Sequence, residues 1–159
     1  MIICSTSRFA NKEKGRESDD LSGDLITQTL TKSGHKVISH VLIPDEPAMI
    51  KNALDEALKN KKVNAVVVSG GTGIAPKDLT IETVTPMFSK TLPGFGELFR
   101  KLSYDTIGSA AIMSRATAGI IDSKAVFCIP GSINAVRLCL NKLILPEAGH
   151  IVKHTWEKP

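Results

Sequence analysis

Residues 63–73 read VNAVVVSGGTG, and this stretch decides the fold class. Residues 63–69 form a nearly continuous apolar run rich in valine, which is typical of a strand buried on both faces of a sheet. Three glycines in the next four residues predict a tight turn in which backbone amides can approach a ligand without obstruction by Cβ atoms. A buried strand that ends in such a turn indicates a layered α/β domain.

The chain on either side of this stretch alternates between strands and amphipathic helices. Further strands are predicted at residues 1–6, 36–43, 107–113 and 124–129. Apolar side chains at helical spacing predict helices that carry Leu21, Leu25, Ile26 and Leu30, then Ile50, Ala53, Leu54, Ala57 and Leu58, and finally residues 134–144. Residues 11–20 and 93–97 are predicted to be loops. We therefore expect an α/β three-layer domain, residues 1–159, with a parallel sheet between two layers of helices.

Composition excludes several classes of protein. The chain has 159 residues, of which 42% are hydrophobic, and a net charge of +4, so it is not disordered, collagen-like or a disulfide framework. With one Trp, one Tyr and five Phe it lacks a stacking platform for nucleic acid, so small anionic ligands are favoured. No apolar run reaches the ~18 residues of a membrane span, so no membrane association is expected. Cys4, Cys128 and Cys139 have no metal-site spacing, which indicates a reduced, cytoplasmic protein.

Small, polar or charged residues follow each predicted strand. These turns are residues 5–8, 44–46, 70–73, 114–116 and 130–132. Ligands of α/β sheets bind at the carboxyl ends of the strands, so we expect the turns to converge on one site.

Each candidate group also has a structural interpretation. The GGTG turn can cradle a phosphate, although it matches neither a P-loop nor a dinucleotide fingerprint, or it can simply connect a strand to a helix. Asp78 and Asp45 can bind Mg²⁺, or each can cap the helix that follows it. Ser132 is predicted to cap the last helix.

Eight motifs in order resemble the molybdenum-cofactor biosynthesis family of the MoaB and Mog type. They cover nearly the whole chain: STSR (5–8), DLSG (20–23), PDE (44–46), SGGTG (69–73), PKD (76–78), PGFGELFR (93–100), SRATAG (114–119) and PGSINAV (130–136). The resemblance implies a homotrimeric α/β enzyme that uses ATP and Mg²⁺ to adenylylate molybdopterin and passes the product to a molybdate-inserting enzyme. The last helix, with Val136, Leu140 and Ile144, is expected to supply apolar surface for the trimer.

The resemblance also implies roles for particular residues. Asp45 and Asp78 match acidic residues that the family needs for catalysis, and they are the expected magnesium ligands. The expected molybdopterin- and nucleotide-binding residues are Ser7, Arg8, Gly70, Gly71, Thr72, Gly73, Glu97, Ser114, Arg115, Pro130, Gly131 and Ser132. The sequence departs from the family pattern at Lys77, where many relatives have arginine. A non-catalytic molybdopterin-binding trimer and a CinA-related nucleotide enzyme are the alternatives, and the GDELL-like and DTN motifs of the latter are absent.

Overall fold

One six-stranded sheet organises the chain. The computed structural model describes residues 1–16 and 19–157. Neighbouring strands lie in the order β2-β1-β3-β6-β5-β4. The strands are β1 (Ile2–Cys4), β2 (Val41–Ile43), β3 (Ala65–Ser69), β4 (Lys90–Thr91), β5 (Thr117–Ile121) and β6 (Lys124–Ile129). Both outer strands are short, with three residues in β2 and two in β4.

The predicted α/β class is confirmed, and the sheet is mixed rather than wholly parallel. Strands β2, β1, β3 and β6 run parallel, whereas β5 is antiparallel to β6 and β4 is antiparallel to β5. Asp122 and Ser123 form the β5–β6 turn, both with positive φ (47° and 60°). Such a two-residue turn can join only antiparallel strands, because parallel strands need a long crossover.

Seven α-helices cover the two faces of the sheet in the described residues. They are α1 (Thr6–Glu13), α2 (Leu21–Lys32), α3 (Pro47–Lys59), α4 (Thr80–Val84), α5 (Pro93–Ile107), α6 (Ile133–Cys139) and α7 (Leu145–Thr155). A π-helical turn (Leu140–Ile144) joins α6 to α7, and 3₁₀ segments occupy Thr85–Met87 and Gly108–Met113. None of these helices has both the length and the apolar character required to cross a membrane.

Strand β3 separates two apolar cores, as its sequence predicts. On one face Val67 packs in a cluster with Phe99, Phe127 and Leu140. On the other face Val66 and Val68 join a cluster that includes Leu54 of α3. The alternation of valines between the two clusters shows that β3 is buried on both sides and fixes its position at the centre of the fold.

Three predicted boundaries are wrong in the first half of the chain. Helix α1 reaches Glu13, so only part of the predicted loop at residues 11–20 is irregular, and residues 17 and 18 lie outside the described residues. The strand predicted at residues 1–6 ends at Cys4, since Ser5 caps α1 by accepting a hydrogen bond from the Arg8 amide. The strand predicted at residues 36–43 is limited to β2, because its only neighbour β1 pairs with it from Val41 onward.

Two predictions in the second half are also wrong. Residues 93–97 form the first turn of α5, because Pro93 occupies the start of a helix, where proline is tolerated. Residues 107–113 form the end of α5 and a 3₁₀ segment instead of a strand. Gly108 with φ 62° ends α5, and the strand follows as β5.

The apolar surface of the last helix is buried within its own chain. Val136, Cys139 and Leu140 are fully buried, and Leu143 and Ile144 nearly so. The expectation that this helix leaves surface for a trimer is therefore wrong. Large exposed apolar side chains occur instead on α5 and the 3₁₀ segment after it, namely Leu98, Tyr104, Ile107, Ile112 and Met113. We refer to these five residues as the α5 patch.

Candidate functional site

A cavity of about 550 Å³ lies at the carboxyl ends of β3 and β6. We call Gly70–Gly73, which forms part of its wall, the glycine loop. The predicted site residues that line the cavity are Arg8, Gly70, Gly71, Thr72, Gly73, Asp78, Ser114, Arg115, Pro130, Gly131 and Ser132. An apolar wall faces them, formed by Phe99, Ile107, Met113 and Leu138. The cavity therefore combines a polar rim of backbone and charged groups with a surface suited to a ring system.

Glycine is required at the first two positions of the glycine loop. Gly70 has φ 104°, and a Cβ atom there would overlap the carbonyl oxygen of Cys4 at the end of β1. Gly71 has φ 63°, and a Cβ there would lie 2.5 Å from Asp45 Oδ1 and from Thr80 Oγ1. At Gly131 a Cβ would lie 3.3 Å from the Gly70 Cα, so the two turns approach closely. This packing brings the loop against the end of β1 and against the residues that follow β2 and β6.

All four carbonyl oxygens of the glycine loop accept hydrogen bonds from two residues. Thr80 donates from Oγ1 to the Gly70 carbonyl and from its amide to the Gly71 carbonyl, each at 2.9 Å. Arg115 donates from Nε to the Thr72 carbonyl at 3.0 Å and from Nη2 to the Gly73 carbonyl at 2.7 Å. These four hydrogen bonds hold the loop through its acceptors and use none of its amides.

The amides of the glycine loop remain available for a ligand. The Gly70 amide donates to the Ile129 carbonyl at 3.0 Å, but the amides of Gly71, Thr72 and Gly73 have no acceptor within residues 1–16 and 19–157. In a trans peptide the N–H points opposite to the C=O of the same unit. These three amides therefore point away from the groups that hold the carbonyls. Adjacent unpaired amides of this kind form an anion-binding concavity.

Asp45 accepts hydrogen bonds from the first residue of α1 with one carboxylate oxygen, and its other carboxylate oxygen is unpaired among the described residues. Its Oδ2 accepts hydrogen bonds from the Thr6 amide (2.8 Å) and the Thr6 hydroxyl (2.9 Å). Its Oδ1 is buried and has no hydrogen-bond partner among the described residues. The interpretation of Asp45 as the cap of α3 is wrong, because Glu46 occupies that position. Asp45 does not line the cavity itself, but its free oxygen lies against Gly71.

Asp78 lies on the other side of the glycine loop and is not a helix cap either. Its Oδ2 accepts a hydrogen bond from the Ala75 amide at 2.9 Å, whereas Leu79 is the residue before α4. A Cβ on Gly73 would lie 2.6 Å from the same Oδ2. The two carboxylates therefore flank opposite ends of the glycine loop.

Asp45 Oδ1 has the chemistry of a magnesium ligand. Asp45 Oδ1 is a buried carboxylate oxygen without a hydrogen-bond partner among the described residues. It can therefore accept a hydrogen bond from a ligand or bind a cation. In the described part of the chain no three His, Cys, Asp or Glu side chains cluster as a metal cage would require. Mg²⁺ does not need such a cage, because it is commonly bound through one or two carboxylates together with water and substrate phosphates.

Arg8 is oriented by the DLSG motif. Its Nη1 donates to Asp20 Oδ1 at 2.5 Å and to the Ser22 hydroxyl at 3.0 Å. Burial raises the pKa of Asp20, but hydrogen bonds from the Gly23 amide and His40, together with the charge of Arg8, hold that pKa below its ordinary value. The carboxylate therefore stays ionised and fixes the guanidinium at the edge of the cavity.

Ser7, Glu97 and Ser132 are predicted site residues that differ in their position relative to the cavity. Ser7 and Glu97 are exposed on α1 and α5 and do not line the cavity. Ser132 occupies the position before α6 as predicted, but its side chain makes no capping hydrogen bond within residues 1–16 and 19–157, so its hydroxyl can serve a ligand.

Two residues that hold the glycine loop or its arginine were not predicted from the sequence. Thr80 and Glu82 both act on the glycine loop, Thr80 directly and Glu82 through Arg115, whose Nη1 lies 2.6 Å from Glu82 Oε1. The hydrogen bond from Arg115 lowers the pKa of Glu82. The only signal in the sequence was their closeness to Asp78, which does not reveal what they contact.

Comparisons with known proteins place the chain in a family. Residues 1–150 match the family model described as "Probable molybdopterin binding domain". Molybdenum cofactor biosynthesis protein B of Bacillus subtilis is 49% identical over 138 residues, which cover 86% of this chain and 81% of the relative. The probable molybdopterin adenylyltransferase of Methanocaldococcus jannaschii is 41% identical over 157 residues, 99% of this chain and 93% of the relative.

A solved structure agrees with both relatives. The crystal structure of a molybdenum cofactor biosynthesis protein B superposes with a TM-score of 0.89 at 43% identity, covering 97% of this chain and 92% of that one. Family model, relatives and structure thus each span most of the chain, including the glycine loop and both aspartates. The chain therefore belongs to the MoaB and Mog family of molybdenum-cofactor biosynthesis proteins, whose domain model is that of a probable molybdopterin-binding domain.

Proposed function

We propose that this protein adenylylates molybdopterin with ATP and Mg²⁺. The observation that carries the proposal is the glycine loop, which forms part of the wall of a cavity with an apolar side and lies between two carboxylates. Three of its amides have no acceptor in the described part of the chain. Transfer of a nucleotidyl group depends mainly on positioning and on compensation of phosphate charge, which amides and a cation supply. Relatives that are named molybdopterin adenylyltransferases support the same activity.

The proposed reaction transfers AMP between two phosphates. An oxygen of the terminal phosphate of molybdopterin attacks the α-phosphorus of ATP, and a new P–O bond forms. The bond from that phosphorus to the bridging oxygen of the β-phosphate breaks, and pyrophosphate leaves with the electron pair. The amides of Gly71, Thr72 and Gly73 donate hydrogen bonds to phosphate oxygens as their charge is redistributed. The apolar wall orients a ring system of the substrates.

Asp45 and Asp78 are the proposed magnesium ligands. Bound there, the ion would compensate the negative charge of the triphosphate, as metal ions do in other phosphoryl-transfer sites. The protein's own contribution is to hold both carboxylates in place, Asp45 through Thr6 and Asp78 through the Ala75 amide.

Incubation with molybdopterin, Mg²⁺ and ATP labelled in its α-phosphate tests the activity. We expect label in molybdopterin and an equal amount of released pyrophosphate, both dependent on protein and on Mg²⁺. Binding of molybdopterin without transfer of label would contradict the proposal and would establish the non-catalytic binding protein instead.

The three residues of the α5 patch that do not line the cavity, Leu98, Tyr104 and Ile112, are the proposed contact between subunits of a homotrimer. Ile112 is the most exposed of these three side chains, at 83%, and it does not line the cavity. A lysine there would place a charge in an apolar contact, so we expect Ile112→Lys to dissociate the assembly. Light scattering should give about three times 17.1 kDa for the wild type and the mass of one chain for the variant. Trp156→Lys, an exposed aromatic in a different element, is the control and should not change the mass. A single-chain mass for the wild type would contradict the trimer.

We further propose that residues 1–159 act as one unit in the cytoplasm and deliver their product to a molybdate-inserting enzyme. The three cysteines support a reduced compartment, because all are free and buried. Association with the purified inserting enzyme during turnover would test the partnership.

A further inference from the structure

We propose that Arg115 is a positioning residue for the glycine loop and not a phosphate ligand, and that Glu82 holds it in that role. The family resemblance places Arg115 among the ligand-binding residues, because a guanidinium in a turn beside a phosphate site can pair with phosphate oxygens. Its hydrogen bonds give a different role. The proposal rests on the proposed function only for the identity of the anion that the loop binds.

The guanidinium of Arg115 is almost fully engaged by the protein. Nε donates to the Thr72 carbonyl, and Nη2 lies within hydrogen-bond distance of both the Gly73 carbonyl and Glu82 Oε2 (3.3 Å). Nη1 donates to Glu82 Oε1 at 2.6 Å. A guanidinium has five N–H donors, so these contacts leave little capacity for a phosphate. The charge is also compensated, since Glu82 forms a two-oxygen pair with it.

The two carbonyl contacts fix the direction of the neighbouring amides. The Thr72 carbonyl shares a peptide unit with the Gly73 amide, so when Arg115 holds the oxygen the N–H points to the opposite side. Thr80 orients the amides of Gly71 and Thr72 in the same way through the carbonyls of Gly70 and Gly71. Glycine allows a peptide unit to rotate at low cost, so an unheld loop would populate orientations with fewer amides turned to the anion. Arg115 therefore orients the Gly73 amide, and Thr80 orients the amides of Gly71 and Thr72.

Glu82 separates the two possible roles of Arg115. Its side chain is about half exposed (48%) and does not line the cavity, so its contact with a bound anion would be made only through Arg115. If Arg115 were a phosphate ligand, removing the charge of Glu82 would release the guanidinium and strengthen anion binding. If Arg115 positions the loop, the same change loosens the loop and weakens binding. The two roles predict effects of opposite sign.

Calorimetric binding of inorganic pyrophosphate to the full chain provides the first test. We expect Arg115→Lys to weaken binding about tenfold, because an ammonium keeps the charge but cannot bridge two carbonyls and a carboxylate. Glu82→Gln should weaken binding about threefold, since the neutral amide holds the guanidinium less firmly. Arg137→Lys and Glu56→Gln, exposed on α6 and α3, are the matched controls and should bind as the wild type does. Tighter binding by Glu82→Gln would overturn the proposal.

Order parameters of the loop amides from ¹⁵N relaxation provide the second test, in protein without ligand. The Thr72 and Gly73 amides should be rigid in the wild type, near ~0.85, and should fall towards ~0.6 in Arg115→Lys, while the thermal midpoint of unfolding stays unchanged. Unaltered order parameters in Arg115→Lys would overturn the positioning role. This measurement does not depend on catalysis. If the wild type fails to bind pyrophosphate or to transfer AMP, the proposed function is contradicted. The order parameters still decide whether Arg115 positions the loop.

Discussion

Replacement of Asp78 by asparagine is expected to slow the transfer of AMP to molybdopterin by a factor of about 10² or more. The variant keeps the size of the side chain and an oxygen that can accept the hydrogen bond from the Ala75 amide. It loses the negative charge that a magnesium ion would require. The thermal midpoint of unfolding should therefore stay near that of the wild type, and molybdopterin should still bind through other parts of the cavity.

Two measurements on the same preparations decide the role of Asp78. The rate of label transfer is followed as a function of Mg²⁺ concentration, and unfolding is followed by circular dichroism. Asp105→Asn, exposed on α5, serves as the matched control and should change neither quantity. A wild-type rate in Asp78→Asn would reduce Asp78 to a residue that shapes the loop at Ala75, and it would remove the main support for a metal at this position.

Replacement of Gly70 by alanine should have the largest effect on stability. The methyl group would overlap the carbonyl oxygen of Cys4 in the central part of the sheet, where the backbone cannot move away. The φ of 104° adds strain for any residue with a Cβ. Together these effects are expected to lower the free energy of unfolding by about 3 kcal/mol or more.

Gly34 offers a matched control for that prediction. It also has a positive φ, 83°, but a Cβ there would meet no atom of the described residues within 4 Å. Gly34→Ala should therefore cost only the backbone strain, about 1 kcal/mol. Urea unfolding of both variants separates the contributions. Equal losses at the two positions would show that the close approach of Gly70 to β1 does not determine the stability of the loop.

The centre of the fold could be predicted because its signals are local. A run of valines followed by glycines predicts both β3 and the glycine loop, and both are present. Helix α5 was missed because proline and glycine in PGFGELFR resemble a loop. The structure supplies the reasons for them: Pro93 starts the helix, and a Cβ at Gly96 would lie 2.6 Å from the Ala116 carbonyl at the beginning of β5. Glycine there allows close packing between helix and strand, a tertiary requirement that local propensity does not contain.

The candidate site could likewise be predicted only in part. Residues that follow strands, such as Asp45, Asp78 and Gly71, could be found because the fold class predicts where strand ends meet. The functions of Thr80, Glu82 and Arg115 depend on side chains that reach the backbone of another segment, in the case of Arg115 across 43 residues to Thr72. Neither residue type nor spacing indicates such a contact. The sequence thus indicates where the site is and the structure indicates how its loop is held.

The short outer strands have a consequence for the behaviour of the protein at high concentration. An exposed sheet edge can recruit another chain only if it offers a ladder of unpaired backbone groups long enough to be extended. Here β2 offers three residues and β4 only two, one of which is Lys90. Growth of this sheet into a fibre by addition of strands is therefore disfavoured at both edges, and concentrated solutions should scatter light no more than the assembled particle itself requires.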